Sequence, residues 1–213
     1  MPNSQPTIET KSNAAAFAFM RHGATAHNLQ GLRCGGDLDV PLTDVGCRTV
    51  FEMACAMQER SMGWGVILCG TLLRTRQSAL IISGVLRDLP IIGVPALNER
   101  HLGQWNGRPI KDTEALLASN QTPPGGEPED AFVARVSQAL SEIMRHRFQP
   151  PLVVSSKGVG RVLNSLLGGS GRLTVSNGEL VVFTPQPDGG VELSRPLVLT
   201  VKVDDRRQEA PAP

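Results

Sequence analysis

The chain has 213 residues, with 21 basic and 20 acidic side chains and a formal net charge of +1 at pH 7. That length suits one well-buried domain, with or without a cap, better than two large ones. The balanced charge excludes a global attraction for nucleic acid or an anionic membrane, so any anion binding must be local.

Met1 to Asn13 has neither a basic start nor an apolar signal core and reads as a flexible N-terminus. No apolar run suggests a membrane span, so the expected location is the cytoplasm. Ala14 to Met20 then forms a short apolar run, a buried first strand that closes on Arg21-His22-Gly23 and turns polar through Asn28. Residues 44 to 60 follow Thr43, a fitting N-cap, and place Val50, Met53, Ala54 and Met57 on one helical face. Val66 to Cys69 reads as a buried strand. The next helix carries Ile82, Val85, Leu86 and Leu89 at helical spacing and ends before Pro90. Pro95 to Asn98 is expected to be extended. Residues 103 to 128, with five prolines and glycines among the last six, read as an excursion over the sheet. A third long helix runs from about Asp130 to His146 and buries Phe132, Val136, Leu140 and Ile143. Leu152 to Ser155 is a strand and Gly158 to Leu167 a helix. Val181 to Thr184, Val191 to Leu193 and Leu197 to Val203 finish as strands around a turn at Pro187 to Gly190.

Strands alternating with helices in this way predict a three-layer α/β/α sandwich, a mostly parallel sheet with helices on both faces and a small cap excursion. One domain spans 14–203, and 204–213 is expected to be a disordered tail. Cys34, Cys47, Cys55 and Cys69 lack metal-ligand spacing and read as buried thiols in a reducing compartment.

The chemical residues fall at strand ends in this scheme. Arg21 and His22 follow the first strand, Arg74 lies in the first turn of the helix after the second, Glu99 follows the third short strand, and Ser156 follows the fourth. The carboxyl edge of a parallel sheet is where open α/β folds bind ligands, and an imidazole beside a guanidinium suits attack on a phosphoryl group. Each residue also has a plainer reading: Arg21 a surface ion-pair partner, His22 a satisfied strand-end histidine, Arg74 part of a solvated face with Arg76 and Arg87. On the same terms Glu99 is a loop carboxylate paired with Arg100, and Ser156 a buried strand residue. Trp105 reads as packing under the excursion.

Taken together, Arg21-His22-Gly23, Pro41-Leu42-Thr43 with Gly46, Leu72 to Ala79, Leu97 to Gly107 and Pro124-Gly125-Gly126-Glu127 resemble, in order, the segments of the histidine phosphatase superfamily, the phosphoglycerate mutase-like proteins. The resemblance extends from about Phe17 to Phe183. It implies that neutral His22, held by its other ring nitrogen, attacks phosphorus and becomes a phosphohistidine, while Arg21 and Arg74 hold the phosphoryl oxygens. It gives Asn28 the role of a neutral phosphate donor and Glu99 that of a general acid, which requires a raised carboxyl pKa. Neither a metal nor a cofactor is implied. The partner is a small phosphorylated substrate, and room is left for a homodimer.

The chain departs from the family in strand four. Where the family has Val-Ser-His-Gly-Gly-Val, this sequence has Val154-Ser155-Ser156-Lys157-Gly158-Val159, which places Ser156 at the second histidine. A serine can donate to phosphate but carries no charge, and loss of such a donor typically slows a reaction by about 10²–10³. Lys157 offsets part of this loss only if its flexible stem reaches back, which strand alternation disfavours by pointing it to the other face, and His27, His101 and His146 lie at no strand end that fills the gap. The expectation is a weakened phosphatase, with two alternatives: a phosphoglycerate mutase-type phosphoryl transferase, suggested by Leu97 to His101, and an inactive phosphate-binding or regulatory protein, suggested by Ser156.

Overall fold

Side-chain alternation along β1 (Phe17–Arg21) separates the two cores of the protein. Phe17 and Phe19 join one core, Ala18 and Met20 the other, and all four are fully buried. The computed structural model describes residues 16–146, 149–186 and 190–197. Within them β2 (Val66–Cys69), β3 (Ile91–Gly93), β4 (Pro151–Ser155), β5 (Leu180–Pro185) and β6 (Val191–Ser194) complete a sheet of order β3-β2-β4-β1-β5-β6. Pairings β1–β4, β2–β4 and β2–β3 are parallel, and β5 runs antiparallel to both its neighbours.

Helices α2 (Asp44–Glu59) and α3 (Leu73–Val85) cover one face through Val50, Met53, Met57 and Ile82. Helices α5 (Glu129–Arg145) and α6 (Lys157–Leu166) cover the other through Phe132, Val136, Ile143, Val159 and Val162. Each such buried side chain contributes about 1.5–3 kcal/mol, so the helices are held by their apolar faces more than by propensity. Thr43 caps α2 as expected, its hydroxyl accepting from Gly46 N. The three-layer α/β/α sandwich with a mostly parallel sheet is therefore the fold. Among the described residues no helix is long and apolar enough to cross a membrane.

Several local readings need correction. The third strand is Ile91–Gly93, not Pro95 to Asn98, because Pro95 has no N–H for the ladder and its fixed φ starts a 3-10 turn at Pro95–Leu97. Helix α3 stops at Val85, short of Leu89: Arg87 and Asp88 adopt φ of 61° and 58°, and Asp88 N closes onto Ser83 O. The excursion holds a 3-10 turn at Gly103–Trp105 and helix α4 (Ile110–Ala118), and Trp105 is buried. All four cysteines are free thiols, but only Cys69 is buried, and burial pushes its pKa to about 11; Cys47 and Cys55 sit on the flanks of α2 and Cys34 in a loop. Leu197 is buried without belonging to a strand. The rest of the strand expected there, most of the turn at Pro187 to Gly190, and both terminal segments lie outside the described residues.

Candidate active site

The sheet's carboxyl edge positions the site. Because β1 and β4 are parallel neighbours with Arg21 opposite Ser155, His22 and Ser156 emerge side by side, and His22 N donates to Ser155 O at 2.9 Å. Gly23 lets the chain pass tightly over the start of α2, where any Cβ would lie 2.5 Å from Gly46 O. The loop is held further by Asn177, whose amide donates to His22 O at 3.0 Å.

His22 is buried, and its Nδ1 lies 2.7 Å from Gly23 O. A carbonyl only accepts, so Nδ1 carries the proton and the Nε2 lone pair is available for nucleophilic attack. Burial, then the Arg74 and Arg21 guanidinium groups, hold its pKa well below the usual 6.5. An NMR titration of the imidazole is therefore expected to find His22 neutral at pH 6.5 and protonated at Nδ1. Since the unfolded chain takes up a proton there that the native state refuses, this group costs stability as pH falls below about 6.5.

The two arginines differ in their settings. Arg21 donates from one terminal nitrogen to Val175 O at 3.1 Å. Arg74, only 1% exposed, is not part of a solvated face: it donates to Leu38 O at 2.8 Å and Gly35 O at 3.0 Å. Arg21 Nε, Arg74 Nε and Ser156 Oγ are each buried without a hydrogen-bond partner among the described residues. All three can donate, and all belong to residues at the expected strand ends.

Glu99 is not paired with the Arg100 side chain, which bonds Glu129 at 2.8 Å instead. Its two oxygens accept from Arg100 N at 2.8 Å and Gly158 N at 3.0 Å, so the carboxylate sits against the start of α6, where a Cβ on residue 158 would collide with it. The segment is braced by Arg135 of α5, which donates to Ala96 O, Asn98 O and Glu99 O and pairs with Glu127. Ser155 Oγ ties β4 to Leu97 O at 2.6 Å. Asn28 is the N3 residue of a capping box at α1 (Ala26–Leu29), whose N-cap is Thr25; its Oδ1 accepts from Thr25 N and from the Asn177 amide.

A cavity of about 510 Å³ opens over this edge. Arg21, Asn28, Glu99, Lys157 and Asn177 line one side, and Leu32, Ile110, Leu117 and Phe132 supply an apolar side partly drawn from the excursion. His22, Arg74 and Ser156 are not among the lining groups and are buried. Lys157 corrects the sequence reading: Ser156 is the last extended residue, with φ −111° and ψ 165°, and Lys157 the first helical one, so strand alternation no longer applies and Lys157 lines the cavity while Ser156 stays buried. Asn177 and Arg135 were missed; only the turn signal Ser176-Asn177-Gly178, and a charge beside the apolar stripe of α5, hinted at them.

Residues 17–195 match the histidine phosphatase superfamily (branch 1). The chain is 29% identical to the metal-independent phosphoserine phosphatase of Arabidopsis thaliana over 73% of its own length and 70% of that protein's. It is 31% identical to the 2,3-bisphosphoglycerate-dependent phosphoglycerate mutase of a Methylobacterium strain over 88% of its length and 92% of the relative's. A solved Escherichia coli structure, assigned as an alpha-ribazole-5'-P phosphatase, superposes with a TM-score of 0.69 at 25% identity, covering 85% of this chain and 95% of that one.

Proposed function

The chain belongs to the histidine phosphatase superfamily, branch 1, and from that premise we propose that it is a metal-independent phosphatase that cleaves a small phosphorylated metabolite through a phosphohistidine at His22. The observation that carries this reading is the buried imidazole, neutral and pinned through Nδ1, beside two guanidinium groups whose Nε–H donors have no partner among the described residues.

In the first step the His22 Nε2 lone pair forms the N–P bond as the P–O bond to the leaving alkoxide breaks in line. Arg21 and Arg74 stabilise the equatorial oxygens, with Asn28 and Ser156 as neutral donors. Glu99 gives the alkoxide its proton, for which one oxygen must leave its backbone partner. Water then attacks phosphorus, passing its proton to Glu99, and the N–P bond breaks to restore neutral His22.

Similarity to a mutase over most of both chains favours a second reading, in which the phosphohistidine is relieved by a hydroxyl of a phosphorylated acid rather than by water. Incubation with 3-phosphoglycerate separates the two, since a mutase isomerises it and a phosphatase releases phosphate. The shared anion site is tested by a crystal soaked in orthovanadate: the oxyanion is expected within bonding distance of His22 Nε2 and hydrogen-bonded to Arg21 and Arg74. An oxyanion bound elsewhere, with these three residues untouched, overturns the reading.

A further inference from the structure

Lys157 is a cation that the hydrolytic mechanism leaves unused. It opens α6, a position where the helix dipole disfavours positive charge, and among the described residues its ammonium makes neither a hydrogen bond nor an ion pair. The charged groups that face it are Arg21 of β1, Arg172 after α6, Glu114 of α4 and Arg33 after α1. Glu114 is itself paired with Arg172 at 2.7 Å, and Glu99 on the same wall is bonded to backbone N–H groups. Desolvation, then Arg21 and Arg172, lower the lysine pKa, with Glu114 opposing and Arg33 adding to the repulsion. Lys157 is exposed to the cavity, repelled by three arginines and attracted by Glu114, which already pairs with Arg172, so a phosphoryl group entering the cavity meets an ammonium without an ion-pair partner among the described residues. Two neighbouring groups also lack a partner among the described residues: the Ser156 hydroxyl, which caps no backbone group and is 2% exposed, and the Nε of Arg21, which lines the same cavity as Lys157.

We propose that Lys157 contacts the transferring phosphoryl group as a further catalytic residue, its ammonium supplying on the β4 side of the site the positive charge that the Ser156 hydroxyl cannot. This rests on the phosphatase reading. Lys157 makes and breaks no covalent bond and stays protonated; it stabilises charge on the phosphoryl oxygens as the transition state forms.

The test compares the wild type with Lys157→Met, Lys157→Arg and His22→Ala, measuring hydrolysis of 4-nitrophenyl phosphate from pH 6 to 10 and affinity for orthovanadate. Lys157→Met is expected to lower kcat/KM by about 10²-fold and to weaken vanadate binding by at least about tenfold, while Lys157→Arg recovers most of both. The wild type should lose activity at alkaline pH as the ammonium deprotonates below its ordinary range. That decline should be absent from Lys157→Met and displaced upward in Lys157→Arg, whose guanidinium keeps its charge. Cys34 also lines the cavity, and burial raises its thiol pKa. The methionine variant retains this thiol, so an alkaline decline that persists there belongs to Cys34 and counts against Lys157. If Lys157→Met keeps kcat/KM within about twofold of wild type while His22→Ala is dead, the lysine role is overturned and the phosphatase reading stands. Turnover that survives in His22→Ala defeats the phosphatase reading itself. If the wild type shows no turnover, vanadate decides: equal affinity in wild type and Lys157→Met overturns the proposal.

Discussion

If His22 is the nucleophile proposed above, His22→Ala is expected to reduce turnover by on the order of 10⁴- to 10⁶-fold, because only positioning and electrostatic stabilisation then remain. The fold should persist. The imidazole makes one described side-chain hydrogen bond, to Gly23 O, and loss of such a bond typically costs about 1 kcal/mol. Rapid quenching of wild type with substrate should trap a phosphoenzyme labile to acid, as a phosphoramidate is, and the variant should trap none. EDTA should leave wild-type activity unchanged. Activity that survives the substitution, or that EDTA removes, would sink the phosphohistidine mechanism. Loss of activity with a collapsed melting transition would report unfolding instead, so the melting temperature is measured on the same samples.

The second large effect tests the missing histidine. A histidine at residue 156 would place a ring with a positive charge or strong donor beside His22, on the neighbouring strand end. If Lys157 already supplies part of that charge, the two substitutions are coupled. Ser156→His should therefore raise kcat by about 10²-fold in the Lys157→Met background, or roughly 2.7 kcal/mol of transition-state stabilisation, and by clearly less in the wild type. Ser156→Ala should change little in either. A large gain in the wild type together with none in the lysine variant would reverse the assignment, with Lys157 acting elsewhere. No activity in any form, with vanadate still bound, would favour a phosphate-binding protein. Ser156 is 2% exposed, so a ring there risks overpacking, which typically costs about 1–3 kcal/mol, and thermal stability must be followed alongside rate.

Arg135 bears on the site through the segment that holds Glu99. Arg135 touches the chain at Ala96, Asn98 and Glu99 and is held by Glu127, so its removal would release the segment that carries Glu99, the proposed acid. It is a positioning residue, and nothing places it on the cavity wall.

The sequence by itself determined the layers and the edge on which the chemistry lies. Alternating burial along Phe17 to Met20 and helical spacing at Val50, Met53 and Met57 follow from backbone period alone, and the strands they imply put His22, Arg74 and Ser156 past strand ends, while Glu99 follows the 3-10 turn that replaced the expected strand. Local chemistry also set the Thr43 cap. The boundary at Pro95 was legible in principle, since a proline cannot donate to the ladder; β3 escaped because an edge strand, half-buried at best, carries little apolar pattern. What only the tertiary structure decided is how those residues face one another. Arg74 is buried because Gly35 and Leu38, more than thirty residues away, present carbonyls to it. Glu99 rests on Gly158 N, and Arg135 reaches it from another helix. Lys157 turns to the cavity because the extended backbone ends at Ser156, one residue before the strand period would have sent it the other way. Periodicity is a property of neighbouring dihedral angles and can be read along a chain. The approach of groups distant in sequence depends on where packing stops each element, which no local pattern encodes.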